Sequence, residues 1–477
     1  MHLRGNLKNW QIILYSMGGE SYMVVFALTA WVMYGYCPPE GRGVQLVTLA
    51  TFSVVTTLAR ILEAVLNPVV GYISDNTRTP WGRRIPFIFG GAVLTAFSLI
   101  LISRPPVVTG VDKLNVLYFS FFFILLTVSS LFMYQPVLAL GPEITADSNE
   151  RVKVTSIALF MGVIVGLFNL TQGLAFEKLG FAATTLIFGV TVFILAMGPV
   201  VSINEKRDVI IRDKMKPGGK RTGFFKGVSG ILLNRIFLVF ALANSIQMLS
   251  FVTLTAAAPY LLTEVAGKHP GDIAVLGLFF LSGMVVGIPV ANIFSKRYCK
   301  KNIFTWSVLA GSLLFFIMAF LSFLPERAVY PAILAFSFVY AFVFMFTNTV
   351  KNPMLADVIL LDCQLSGEKK EALFIGTHGL IFRIIDSANI PITAALFAHF
   401  GYSSGSPWGI YLIFPVCAVI NLVSFFIIKN YPLDDQGGFL EGYSDKYGYL
   451  IERLKRKQED VPGEYTAGLN SPRDNGS

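Results

Sequence analysis

Twelve apolar stretches alternate with short polar connections along this chain. They run approximately over residues 10–36, 46–73, 86–103, 115–140, 154–175, 180–202, 235–263, 271–295, 302–324, 328–356, 372–400 and 407–429. A helix needs ~20 predominantly apolar residues to cross ~30 Å of hydrocarbon. A lone segment in lipid must satisfy its own backbone hydrogen bonds, so helix is the only workable state. The short alternating segments of membrane barrel strands are absent. The pattern predicts an all-α integral membrane protein with twelve transmembrane helices. The first stretch is long, holds Glu20 and is followed by others like it, so it reads as a retained span and not a secretory signal.

The longest internal hydrophilic segment falls midway and separates six spans from six. It divides the chain into an N-terminal six-helix half (1–202), a linker (203–234), a C-terminal six-helix half (235–430) and a polar tail (431–477). That is the layout of two parallel halves related by an axis along the membrane normal. A weak echo supports it: the fourth span ends in Pro136, Glu143, Asp147 and Arg151, and the tenth in Pro353, Asp357, Asp362 and Lys369. In the tail, Tyr447, Leu450, Ile451 and Leu454 recur at helical spacing beside Lys455, Arg456 and Lys457. This fits either a basic helix on the inner leaflet or a solvated tail helix.

Composition agrees with a bilayer solvent. Hydrophobic residues make up 54% and charged residues 14%, against roughly a quarter charged in soluble domains. With the N-terminus inside, the inside segments hold 28 of the 38 Lys and Arg and the outside loops hold six, from Arg42 to Arg327. This asymmetry places both termini in the cytoplasm and explains the net charge of +9. The charge follows loop sidedness and forms no single patch, so nucleic acid is not the expected partner. The four cysteines show neither a disulfide framework nor zinc spacing. No GxxxxGK[ST] loop argues for an ATP-driven pump, and no nucleophile–histidine constellation argues for an enzyme. A small-molecule substrate and the lipid bilayer are the expected partners, no cofactor is expected, and the oligomeric state stays open.

Charges inside the spans carry the functional signal, because each costs at least ~2.5 kcal/mol in hydrocarbon. Glu20 lies in the first span. Arg60, Glu63 and Asn67 lie in the second, three and four residues apart and so on one helix face. Arg383 and Asp386 share a face of the eleventh. These residues either couple an ion to transport or form a fixed Glu63–Arg60 or Glu63–Arg383 bridge. His378 reads as a helix-bridging histidine before a proton relay. Tyr15, Tyr22, Gln135, Asn169, Gln172, Asn244, Gln247 and Asn348 are further polar groups in the spans.

The loop from Asn67 to Pro86, NPVVGYISDNTRTPWGRRIP, is the most specific signal. Gly71 is read as permitting close helix approach. Asp75 stands at the helix end, where Arg78, Arg83 and Arg84, around Gly82, could pair with it as an ionic latch. This loop resembles the signature loop of the major facilitator superfamily. Its longer form resembles that of the glycoside–pentoside–hexuronide:cation symporters, the melibiose permease family. The likeness extends to Pro142–Asp147 with Glu150 and Arg151, to Met354–Asp357, and to Gly367 and Glu368. It covers nearly all of residues 10–430.

The resemblance implies the major facilitator fold and alternating access. It places the cation site at Glu63 and Asn67 of the second span, with Arg383 at the position of a family lysine. If the ion is sodium, Glu63 and Asn67 would be its ligands. Asn67 removes a negative charge from such a site, so a lone Glu63 could instead carry a proton. Glu20 keeps the family's first-span sugar-binding acid. Tyr134 stands where the family has aspartate, Leu138 where it has tryptophan and Leu159 where it has arginine. Glu20, Tyr134 and Gln135 are the candidate substrate contacts. Asp147, Arg151 and Asp357 are counted with the gate. The expected function is cation-coupled symport of a sugar- or glycoside-like solute in the plasma or inner membrane. The alternative is a proton-linked or uncoupled carrier of a non-sugar or amphiphilic, lysolipid-like substrate.

Overall fold

The computed structural model describes residues 8–77, 79–144, 148–204, 224–366 and 371–433. The chain runs through α1 (Asn9–Tyr36), α2 (Leu49–Asn76), α3 (Ile85–Ile102), α4 (Lys113–Ile144), α5 (Ser148–Asn169) and α6 (Gln172–Ser202). A short α7 (Phe224–Leu232) precedes the second set: α8 (Arg235–Tyr260), α9 (Ile273–Ser295), α10 (Lys300–Met318) and α11 (Glu326–Ser366). There follow α12 (Glu371–Asp386) and α13 (Asn389–Phe400), which share the eleventh apolar stretch, and α14 (Trp408–Tyr411) and α15 (Ile413–Ile428), which share the twelfth. Most of the linker and all of the tail beyond Leu433 lie outside the described residues, including the tail stretch at 443–458.

Eleven of the twelve stretches form helices long and apolar enough to span a membrane. The remaining one, α5, has 22 residues, of which Phe160–Asn169 form an apolar helical segment among the described residues. Large apolar side chains such as Val54, Leu58 and Val65 on α2 point outward, as lipid-facing positions do.

The fifth and sixth spans meet differently from the sequence expectation. α5 stops at Asn169, and the chain turns at Leu170 and Thr171. A two-turn segment from Gln172 then runs to Gly180, whose φ of 80° breaks the helix before the rest of α6. Such a φ carries a steric penalty for residues with a Cβ, and glycine tolerates it. The hydropathy minimum near residue 178 thus marks this break and not the turn itself.

Helix contacts are close where side chains are small. Gly283 and Gly287, one turn apart on α9, lie against α11. A Cβ added to Gly283 would come within 2.2 Å of the Phe338 carbonyl oxygen. This is the small-xxx-small packing of membrane helices.

The two sets of helices join at the end of the bundle opposite the start of α1 and the end of α15. There Tyr260 Oη donates to the Cys37 carbonyl (2.9 Å) and Tyr402 Oη to that of Pro38 (3.3 Å). Arg42 pairs with the buried Glu264 (2.5 Å), whose second oxygen accepts from the Ser404 N–H (2.9 Å). Glu177, on the short segment before Gly180, accepts from the Gly271 N–H (2.8 Å). These bonds clasp the far end shut.

Candidate transport site

Halfway along α2, Glu63 is fully buried. A carboxylate at that depth must be paired and hydrogen-bonded. Its Oε2 accepts from Arg60 Nη1 (3.0 Å), one turn earlier on α2. Its Oε1 accepts from Arg383 Nη1 on α12 and from Tyr22 Oη on α1 (3.3 Å). Arg383 Nη1 also donates to Tyr22 Oη (3.1 Å), and its guanidinium lies 5.6 Å from the Tyr22 ring centre. Asp386 is buried within electrostatic range of Arg60, Glu63 and Arg383, and accepts from Asn389 Nδ2 (3.0 Å). Two acids and two guanidinium groups thus balance in one cluster. It crosses from α2, in the first set of helices, to α12, in the second. Just beyond it the eleventh span is interrupted at Ser387 and Ala388 between α12 and α13. Broken helices at midplane depth are where carriers build binding sites.

Glu63 and Arg383, two of the candidate coupling residues, thus take part in a bridge, and Glu63 forms both of the bridges expected from the sequence. The side chain of Asn67, by contrast, makes no hydrogen bond to the side chains of Glu63, Arg60 or Arg383. Both oxygens of Glu63 already face guanidinium groups. This donor set does not fit a sodium ion: two fixed positive charges sit where a hard cation would need oxygens.

The candidate substrate residues adjoin this cluster. Tyr134 of α4 stacks on Tyr22 (centroids 4.7 Å, interplanar angle 21°) and lies within electrostatic range of Arg383 and Glu20. Glu20 is half-buried and faces α5, where a Cβ on Gly162 would stand 3.3 Å from its carboxylate. Gln135 is half-buried and forms no side-chain hydrogen bond to a described residue. Tyr15 and Asn348 hold structure instead: Tyr15 Oη donates to the Val137 carbonyl (2.9 Å), and Asn348 Nδ2 donates to that of Phe344 (3.0 Å).

The gate residues divide. Gly82 has a φ of 119° and closes a turn with Thr79, whose hydroxyl donates to the Gly82 carbonyl (2.6 Å). Arg84 is buried and Arg83 half-buried. Asp357 pairs with Lys300 (2.7 Å), tying α11 to the start of α10. Gly71 does not serve close packing here, because a Cβ added to it would meet open space. Arg78 and Asp147 lie outside the described residues, as do the side chains of Asp75 and Arg151, so the latch partners fall outside as well.

Residues 42–435 match the family described as MFS/sugar transport protein. The chain belongs to that family. It is 24% identical over 427 residues to the candidate glycoside/cation symporter YagG of Escherichia coli (strain K12), covering 86% of this chain and 88% of that protein. It is also 24% identical over 413 residues to a lactose permease of Leuconostoc lactis, covering 82% of this chain but 61% of that longer protein. Among solved structures it resembles the nucleoside transporter NupG at a TM-score of 0.62 and 13% identity, covering 88% of this chain and all of that one. At that identity the likeness carries the fold alone, and the fold is that of a major facilitator transporter.

Sequence reasoning found Glu63, Arg60, Arg383 and Asp386 because charge in an apolar stretch is conspicuous. It did not single out Tyr22 as the phenol that joins them, since a tyrosine within a span gives no such signal. The Arg42–Glu264 clasp, bridging residues far apart in sequence, was invisible to it.

Proposed function

We propose that this chain is a secondary active symporter that moves a sugar- or glycoside-like solute together with a cation by alternating access. The observation that carries the reading is the Glu63–Arg383 pair, which spans the two sets of helices in the middle of the membrane. An ion pair there binds the halves to one another, and neutralising Glu63 releases Arg383 and lets them rock. The named relatives, a candidate glycoside/cation symporter and a lactose permease, support the solute class. A proton is the coupling cation of this reading, because the two guanidinium groups leave no room around Glu63 for the further oxygen ligands that a metal cation needs. The sidedness of Lys and Arg supports a topology with both termini in the cytoplasm and the protein in the plasma or inner membrane. The clasped far end is then the outer gate, and the structure is closed to the outside.

The test is thermal stability of the purified protein in liposomes against a panel of glycosides, organic acids and lysolipids, with and without sodium at two pH values. The expected result is a glycoside-dependent shift that follows pH and ignores sodium. A shift with lysolipids alone would reject the sugar reading.

A further inference from the structure

A groove of about 390 Å³ opens on the outside of the bundle between α9, α10 and α11, at the end opposite the clasp. Only 11% of the apolar part of Pro270–Ser295 is buried within the protein, so most of α9 faces hydrocarbon. One wall of the groove is a ladder of rings. Tyr298 lies against Phe294 (5.5 Å), Phe294 against Phe346 (5.5 Å) and Phe346 against Phe342 (5.3 Å). The other wall is α10, where Trp306 is 66% exposed and the small side chains of Ser307 and Ala310 leave the space open. The Ser307 hydroxyl is engaged with Thr347 Oγ1 (2.7 Å), so below Asn302 the walls are apolar. From Asn302 to Ala310 the groove follows α10 for ~12 Å, at 1.5 Å per residue. One leaflet holds ~15 Å of hydrocarbon.

The turn at the mouth of the groove has the opposite character. Residues 296–301, KRYCKK, hold four basic side chains and no acid. Lys300 is paired with Asp357 (2.7 Å). Lys296 and Arg297 are exposed and form no ion pair with a described residue. Tyr298 and Trp306 are rings of the type that settles at headgroup level. We infer that this groove seats one acyl chain of an anionic phospholipid whose phosphate lies on Lys296 and Arg297. A zwitterionic lipid would bring its own ammonium toward these two cations. A soluble anion would leave the ring ladder without partner atoms. A second copy of the chain, packed about a two-fold axis, would turn one basic loop toward another. The inference rests on the proposed topology only for the leaflet, which that topology makes the inner one.

The experiment uses the full-length protein in phosphatidylcholine liposomes. Phosphatidylglycerol or phosphatidylcholine brominated on its acyl chains is titrated into both leaflets. Bromine quenches a neighbouring indole, and the Trp306 signal is the part of the fluorescence lost in Trp306→Phe. Half-maximal quenching of Trp306 is expected at a mole fraction of brominated phosphatidylglycerol at least about threefold below that of brominated phosphatidylcholine. The double variant Lys296→Gln, Arg297→Gln should bring the two curves together. Ala310→Phe fills the slot and should also abolish the preference, although both cations remain. A preference that survives Ala310→Phe would be diffuse attraction to the surface, and would overturn the seated lipid. Equal quenching by the two lipids in wild type, or a preference untouched by the double variant, would overturn the headgroup site. Quenching by neither lipid would mean that protein covers the groove, and would overturn it too. The double variant alters exposed side chains alone, so the test stays decisive should Ala310→Phe fail to fold. No solute is present and both leaflets carry the probe, so the outcome stands apart from the symporter reading and from the topology.

Discussion

Replacing Glu63 with glutamine is the perturbation that separates coupling from movement. Glu63 accepts three hydrogen bonds, from Arg60, Arg383 and Tyr22. Glutamine keeps one acceptor oxygen and turns an amide N–H₂ toward a guanidinium, donor against donor. It also leaves two buried cations with Asp386 as their remaining acid. Removing one partner of a buried pair typically costs about 3–5 kcal/mol. Asp386 and Tyr22 stay in place to relieve part of this, so the low end, about 3 kcal/mol, is the working figure. If half of that belongs to the link between α2 and α12, the balance between the two gate states shifts by about 1.5 kcal/mol, roughly tenfold. The assay compares two modes in liposomes loaded with the first glycoside that stabilises the purified protein. Glu63→Gln should fail to accumulate solute against a gradient, yet keep exchange within about threefold of wild type, because exchange needs rocking but no ion release. Equal loss of both activities in a variant that still melts cooperatively would refute the coupling role and leave Glu63 a structural residue.

Other predictions follow from the same geometry. Arg42→Ala strands the buried carboxylate of Glu264; it should open the far end, raising labelling of a cysteine at Thr263 by a membrane-impermeant maleimide several-fold, and unchanged labelling would contradict the clasp. Gly198→Ala would press a Cβ to about 2.1 Å from the Leu14 carbonyl oxygen; it should destabilise the α1–α6 contact by about 1–3 kcal/mol, read as a lower melting temperature. Gly71→Ala meets open space and should leave the melting temperature unchanged or slightly raised, since alanine suits a helix better than glycine. Gly82→Ala forces a Cβ onto a φ of 119° and should lose about 1–3 kcal/mol, with transport slowed because the loop carrying Arg83 and Arg84 shifts.

The fold was legible because bilayer thickness sets a length that the apolar runs of Trp10–Tyr36 and its successors meet. Interruptions were harder. The hydropathy dip before Gly180 reads as a loop, and only the backbone shows a helix turned and resumed around it. Pairing within a span was partly legible: Arg60 and Glu63 are one turn apart, so their meeting follows from helix geometry. The meeting of Glu63 with Arg383 was one of two bridges that the in-span charges allowed, and no periodicity relates two helices so far apart in sequence. The place of the Asn67 side chain was not legible either. Sharing a helix face with Glu63 does not bring its side chain to the same partner, and Arg383 already occupies that side of the carboxylate.

The identity of the driving ion tests the central claim most directly. Solute uptake would be followed in liposomes under an imposed pH gradient without sodium, and under an imposed sodium gradient at equal pH. The account predicts accumulation driven by the pH gradient alone, and its disappearance in Glu63→Gln. Accumulation driven only by sodium would contradict it, since that ion would have to be held where Arg60 and Arg383 now stand.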